Sequence, residues 1–383
     1  MGSLDGYDAK RIRSLLMPVA QNGICGPESA CLLDVGTQGY LAYFAKEVLR
    51  GLAATGGATV RVFEGAYGAG KTHLLRLLEN LGREHSFASV FTQLNNHALQ
   101  IEDWRAVTAY ILGNLEMDIE GQRARSMPAI LSRLASCGKA DLKQLQQTVV
   151  SHAPYKTAME IMVNPAKRIR VKCDPLELFL SGERVRVADL REAGIQGVKN
   201  PLSNRNCEQV LHTALTGLHA LTGRGILLLF DETDRAFSKY ETRRVHVAAN
   251  LMRRFIDACL TGQLPGTVAV FAVLQDFVQT CGLAYPALGQ RLHTDGLDGA
   301  AASWRTPVLP LERINELEDE GEFLNAAVGR CWEILVHLGR GGEQCRVVLS
   351  EVGTEAVEAQ AGSGYRRALM KALALKTLQL LQN

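Results

Sequence analysis

"FEGAYGAGKTHLL", residues 63 to 75, decides how the rest of the chain is read. From Gly65 to Thr72 it matches G-x-x-x-x-G-K-[ST], with the apolar run "TVRVF" before it and a leucine-rich helical pattern after it. Leu74, Leu75, Leu77, Leu78 and Leu81 make one apolar stripe, and Gly82 is expected to cap the helix C-terminally. Glycine reaches backbone conformations closed to other residues, so Gly65, Gly68 and Gly70 let the chain wrap closely around phosphate oxygens. The amides of Ala66, Tyr67, Ala69 and the residues through His73, at the start of a helix, add partial positive charge. Lys71 is placed to reach the β- and γ-phosphates of a nucleoside triphosphate, and Thr72 to set its hydroxyl on Mg²⁺. The plainer alternative is a glycine-rich turn that only starts a helix.

A phosphate cradle that turns over its ligand needs a metal holder and a base. In "ILLLFDETD" five apolar residues end at Asp231, which is placed to complete the Mg²⁺ shell through water, and Glu232 follows as the candidate base that polarises the attacking water. Acidic residues also end many strands simply as turn residues. Asp234 completes a "DETD" string of the helicase type, but the remaining chain leaves no room for a second motor domain, so a capping or exposed turn role is expected. The next apolar run, "TVAVFAVLQDF", carries Gln275 at its polar end, either as a sensor between the acidic pair and the γ-phosphate or as a solvated strand terminus. Arg291, in "YPALGQRL", is a candidate to reach a neighbouring subunit's nucleotide and stabilise transition-state charge; a surface arginine is the alternative.

The 383 residues are 47% hydrophobic and 21% charged, an ordinary globular composition with length for two to three domains. A net charge of +2, from 42 Lys and Arg against 40 Asp and Glu, gives no global case for nucleic acid. Nine scattered cysteines without metal spacing point to a reducing cytoplasm rather than a disulfide framework or a zinc site. No segment has the length and apolarity of a signal or a membrane span.

Along the chain, residues 8 to 17 read as a helix and "PVAQNGICGPES" as a loop; "YLAYFAKEVLRGL" is helical, and "FASVFTQL" is a second strand. From about 98 to 200 the pattern is one of helices and polar loops, and beyond "WRTPVLPLER" it is helical to the end. Strands that are continuous apolar runs, alternating with helices, predict an α/β fold with a parallel sheet covered on both faces.

In this order, the phosphate loop, "ILLLFDE", Gln275, Arg291 and a helical C-terminal segment resemble the AAA+ P-loop ATPases. "LLDVGTQGYLAYFAKEVL" is similar to their segment before the loop, which implies Val35 and Gly36 near the adenine, and "GSGYRRALMKAL" to the lid helix, which implies Arg366 or Arg367 as a second sensor. More narrowly, the chain resembles the ATP-binding proteins of bacterial BREX-type phage-defence loci, through "KRIRSLLMPVAQNGI", "GAYGAGKTHLLRLL", "SGERVRVADLREAGIQGVKN", "GRGILLLFDETDRAF" and "LMRRFIDACLTGQLPGTVAVFAVLQDF". Gln275 departs from the Asn or Thr often seen at the first sensor, and the long spacing from Lys71 to Asp231 implies a largely helical insertion at about 98 to 200. The resemblance implies a nucleotide-binding core over residues 1 to 300, a C-terminal helical lid over 301 to 383, ATP and Mg²⁺ as ligands, and a homo-oligomer working on DNA or partner proteins of the defence system.

Two basic features could serve duplex DNA: Lys167, Arg168, Arg170 and Lys172 in the insertion, and Arg243, Arg244, Arg253 and Arg254 on the helix after the acidic pair. A solvated face or a subunit contact is the competing expectation. Two other functions share the motifs: a nucleotide-dependent switch or scaffold with negligible turnover, and a transposon-type or loader ATPase assembling on DNA.

Overall fold

The computed structural model describes residues 4–94, 99–233, 242–275, 277–292, 304–317, 319–359 and 364–382. A seven-stranded sheet organises them. Its strands are β1 (Thr59–Glu64), β2 (Ala88–Gln93), β3 (Glu116–Ile119), β4 (Gln122–Arg125), β5 (Ile226–Asp231), β6 (Thr267–Val273) and β7 (Val308–Pro310), in the spatial order β4-β3-β2-β5-β6-β1-β7. The pairs β2·β5, β5·β6, β6·β1 and β1·β7 are parallel, so an α/β fold with a mostly parallel, P-loop ATPase-like sheet is what the apolar runs build.

Side-chain alternation divides the sheet between two cores. Val60, Val62, Leu228, Phe230, Ala269 and Phe271 face one side, where they meet the helices of the 98 to 200 region. Phe63, Leu227, Leu229, Val268, Val270 and Ala272 face the other, against Tyr40, Phe44 and the stripe Leu74, Leu75 and Leu78. Every residue of β5 and β6 is buried, which is why these strands read as uninterrupted apolar runs.

The sequence expectations need correction at three places. The 98 to 200 region is not only helix and loop: β3 and β4 form an antiparallel hairpin that extends the sheet beyond β2. Its two-residue turn, Glu120-Gly121, has positive φ at both positions (54° and 73°), the geometry that matches hairpin twist. The first helix runs from Ala9 to Asn22, through Pro18, because Ile12, Leu16, Val19 and Ala20 continue one buried face beyond the proline. Gly82 does not cap its helix, which continues to Glu84. It lies instead against β5, where an added Cβ would sit 2.9 Å from Leu227 Cδ2, so the missing side chain sets the distance between helix and sheet. The strand β7, within "WRTPVLPLER", had no sequence expectation attached to it.

A third core joins the two ends of the chain. Ile12, Leu16, Val19, Leu32 and Leu33 pack with Phe323, Ile334, Leu335, Leu349, Leu369 and Leu373. Polar ties reinforce it: buried Arg330 donates through Nε to Leu32 O at 2.8 Å, and Arg13 donates to Leu381 O. The N-terminal segment is thereby built into the C-terminal helices.

Candidate nucleotide site

The phosphate-loop sequence leaves β1, turns, and enters the helix Lys71–Glu84. Gly68 and Gly70 have φ of +82° and +104°, in the region glycine occupies without penalty. Gly65 lacks that conformation but is closely packed: a Cβ there would meet Leu311 Cδ1 at 2.6 Å. With glycine at the helix N-cap, no side chain competes for the first amides of the helix. Lys71 Nζ donates to Gly65 O at 2.6 Å and Ala66 O at 2.9 Å, bracing the loop across its mouth.

Asp231 ends β5 and is 2% exposed. Thr72 Oγ1 donates to Asp231 Oδ2 at 2.7 Å although the residues are 159 positions apart, and the Glu232 amide donates to Asp231 Oδ1 at 3.0 Å. Glu232 itself has φ of +57°, uncommon for a residue with a Cβ, and this backbone turn carries it out of the strand direction. Lys71, Thr72, Asp231 and Glu232 all line one cavity of about 640 Å³.

The lining of that cavity changes character from one part to another. Tyr67 through His73, Asp231 and Glu232 are its polar part, whereas Val19, Leu33, Val35 and Met370 are apolar and belong to, or lie beside, the core that joins the chain termini, and Ile314 comes from the core under the sheet. Gly36 stands just behind Val35, with φ of +75° and its carbonyl accepting from the Glu316 amide at 2.7 Å. A Cβ at Gly36 would approach Asn315 Oδ1 to 2.3 Å and Leu317 Cγ to 2.8 Å. Gly36→Ala is therefore expected to lower stability by about 2–5 kcal/mol, summing left-handed backbone strain and overpacking, as read by urea unfolding.

Both C-terminal arginines reach the cavity. Arg367 donates to Tyr67 Oη at 3.2 Å and to Asn22 O at 2.9 Å, linking the last helix to the phosphate loop and the first helix. Arg366 lies 4.7 Å from the Phe323 ring centroid, a cation–π contact.

Other sequence candidates stand apart from it. Gln275 is exposed just beyond β6 and does not line the cavity; its neighbour Leu274 does. Arg291 is held on the helix Pro286–Leu292 by Asp257, whose Oδ1 accepts from Nε at 3.0 Å, and it too lies outside the cavity. Arg253 and Arg254 pair with Asp257 and Glu208. Asp234 and the side chains of Arg243 and Arg244 lie outside the described residues. Lys167, Arg170 and Lys172 are exposed, Arg168 partly so, and Lys172 pairs with Glu192 at 3.7 Å.

Sequence reasoning missed Gln93, Cys25 and Asn315, all of which line the cavity. Gln93 is the partner of Asp231 in the β2·β5 register, and a polar residue ending an apolar strand was the signal available for it. Cys25 and Asp34 carried no such signal, because His73 gathers them only through the fold. Cys25 Sγ lies 3.5 Å from His73 Nδ1, and Asp34 Oδ1 lies 3.8 Å from His73 Nε2. Burial alone would push the imidazole pKa down; hydrogen bonds with Asp34 and Cys25 outweigh it and raise the value to about 10. Burial would likewise push the Cys25 thiol up, but the hydrogen bond to His73 and the charges of His73 and Arg76 hold it below the ordinary thiol value.

A mostly parallel sheet with a glycine-rich loop at the tip of one strand, an acidic residue at the tip of another, and a cavity lined by both is the arrangement of a P-loop ATPase-like fold. The family model for the BREX system ATP-binding protein BrxC/D matches residues 21–178 and 177–326, and the chain belongs to that family. No curated protein and no solved structure gives a significant match to it. Among the described residues no helix is long and apolar enough to cross a membrane.

Proposed function

We propose that this protein is an ATPase of a BREX phage-defence system, one that hydrolyses Mg-ATP to drive a step on DNA or on a partner protein. The observation that carries the reading is the meeting of Thr72 and Asp231 at 2.7 Å on a cavity shared with Lys71 and Glu232. Hydroxyl and carboxylate oxygens are hard donors suited to Mg²⁺, so Thr72 and Asp231 would hold the ion, Asp231 through water. When bound, Mg²⁺ supplies positive charge that neutralises the β- and γ-phosphate oxygens.

The protein's own groups have separate tasks. Lys71 and the amides from Gly65 to His73 bind the phosphates. Glu232 accepts a proton from the attacking water, and Val35 and Gly36 wall the adenine. Arg366 and Arg367 carry the nucleotide state into the C-terminal helices from Glu320 onward, which, with the first helix packed among them, act as a lid on the sheet core. Gln275 senses the γ-phosphate once the site closes. In a homo-oligomer Arg291, paired with Asp257 in the single chain, leaves that partner and reaches the neighbouring subunit's nucleotide. The exposed basic stretch 167 to 172 is the better candidate for duplex DNA, because Arg253 and Arg254 are already paired within the chain.

The deciding measurement is steady-state ATP hydrolysis with and without duplex DNA, run beside a mass measurement in ATP. Turnover that rises with DNA and with assembly is the expected result. Binding of ATP without turnover under every condition would favour a nucleotide-dependent switch or scaffold. Filaments on duplex DNA would favour the loader type.

A further inference from the structure

Cys25 occupies the loop between the helices Ala9–Asn22 and Pro27–Leu33 and lines the cavity beside the phosphate loop. Three residues form a chain behind it. His73 stands next to the thiol, Asp34 stands next to the far ring nitrogen, and the Asp34 carboxylate is itself oriented by Thr37 Oγ1 at 2.6 Å and Gln38 Nε2 at 2.9 Å. The His73 ring stands 3.5 Å from the sulfur as its hydrogen-bonding neighbour, and the buried Asp34 carboxylate fixes that ring. None of these contacts is needed to cradle a phosphate.

Three of the buried cysteines are built differently. All nine are free. Cys259 and Cys281 are pushed up to about 12 by burial alone, and Cys331 to about 11 mainly by burial, which leaves them poor nucleophiles. The lowered value at Cys25 agrees with its geometry. Its approach is also biased by charge: Lys71, Arg76, Arg366 and Arg367 line the same cavity against Asp231 and Glu232, an excess of positive charge that draws in an anionic reagent.

We propose that Cys25 is a thiolation site for small anionic disulfides, and that the mixed disulfide formed there keeps nucleotide out of the cavity. The sulfur attacks one sulfur of the incoming disulfide, the new S–S bond forms as the old one breaks, the leaving sulfur departs as a thiolate with the bonding pair, and the proton that Cys25 loses passes to solvent, or to that thiolate where the thiol is weakly acidic. No other oxidant is consumed, and excess thiol reverses the exchange. The exclusion of nucleotide rests on the ATP-binding reading above; the reactivity of Cys25 does not.

The probe is 5,5′-dithiobis(2-nitrobenzoate), an anionic disulfide whose released thiolate is coloured, applied to the intact chain at neutral pH. A fast phase of one equivalent is expected, at least about tenfold faster than the other accessible thiols. Peptide mass spectrometry is expected to place the first adduct on Cys25. Cys25→Ser is expected to lack this phase, and Asp34→Asn to slow it several-fold. Binding of a fluorescent ATP analogue is expected to fall at least tenfold in the adduct and to return with dithiothreitol, while Cys25→Ser binds equally before and after treatment. A first adduct on any other cysteine overturns the site. An adduct on Cys25 that binds the analogue as the untreated protein does overturns the exclusion. Failure of the untreated protein to bind the analogue would instead count against the ATP reading, leaving the fast phase as the test of the thiol.

Discussion

Lys71→Ala is expected to abolish measurable binding of Mg-ATP, weakening it on the order of a hundredfold or more. Each hydrogen bond from a charged group contributes about 1.5–3 kcal/mol, and an ammonium that reaches both β- and γ-phosphates supplies more than one. The structure adds a second reason. Lys71 also ties together the carbonyls of Gly65 and Ala66, at 2.6 and 2.9 Å, so alanine removes the brace that shapes the loop as well as the charge. Calorimetric titration with ATP checks the binding, and thermal unfolding checks that the variant is folded. A change of only a few-fold in affinity, in a folded variant, would remove the phosphate loop from the site.

Glu232→Gln is expected to behave in the opposite way, holding ATP within a few-fold of the parent while turnover falls by about 10²–10⁴. Glutamine keeps the size and the hydrogen-bonding reach but cannot accept a proton at neutral pH. The backbone supports this separation of roles. At φ of +57° Glu232 is turned away from the line of β5, while Asp231, one residue earlier, stays buried against Thr72. Single-turnover hydrolysis beside equilibrium binding separates the two effects, and parental turnover in the variant would mean that another group takes the proton.

Most of the central fold could be read along the chain because its signals are local. A buried parallel strand must be apolar at nearly every position, so β1, β5 and β6 stand out, and the glycines with Lys71 and Thr72 identify the loop between β1 and its helix. The hairpin β3–β4 lacked such a signal. "EMDIEGQRAR" carries few apolar residues because it lies at an edge, where charge discourages pairing with other chains. Its Glu-Gly turn is also less telling than Asn-Gly. Gly82 was misread for a related reason: a glycine near a helix end resembles a cap, and only the position of Leu227 shows that it is there for close packing.

The amino-acid order by itself determined that a phosphate-binding turn precedes a helix and that a buried strand ends in Asp231 and Glu232. Each of those features depends on residues that are neighbours in the chain. Only the tertiary structure decided that Thr72 meets Asp231, that the first helix completes the C-terminal core, that Gln93 rather than Gln275 lines the cavity, and that Cys25, His73 and Asp34 stand in a row. Such contacts join distant segments, and they come from the order of strands in the sheet and the way helices cover it. Spacing along a chain carries no measure of either.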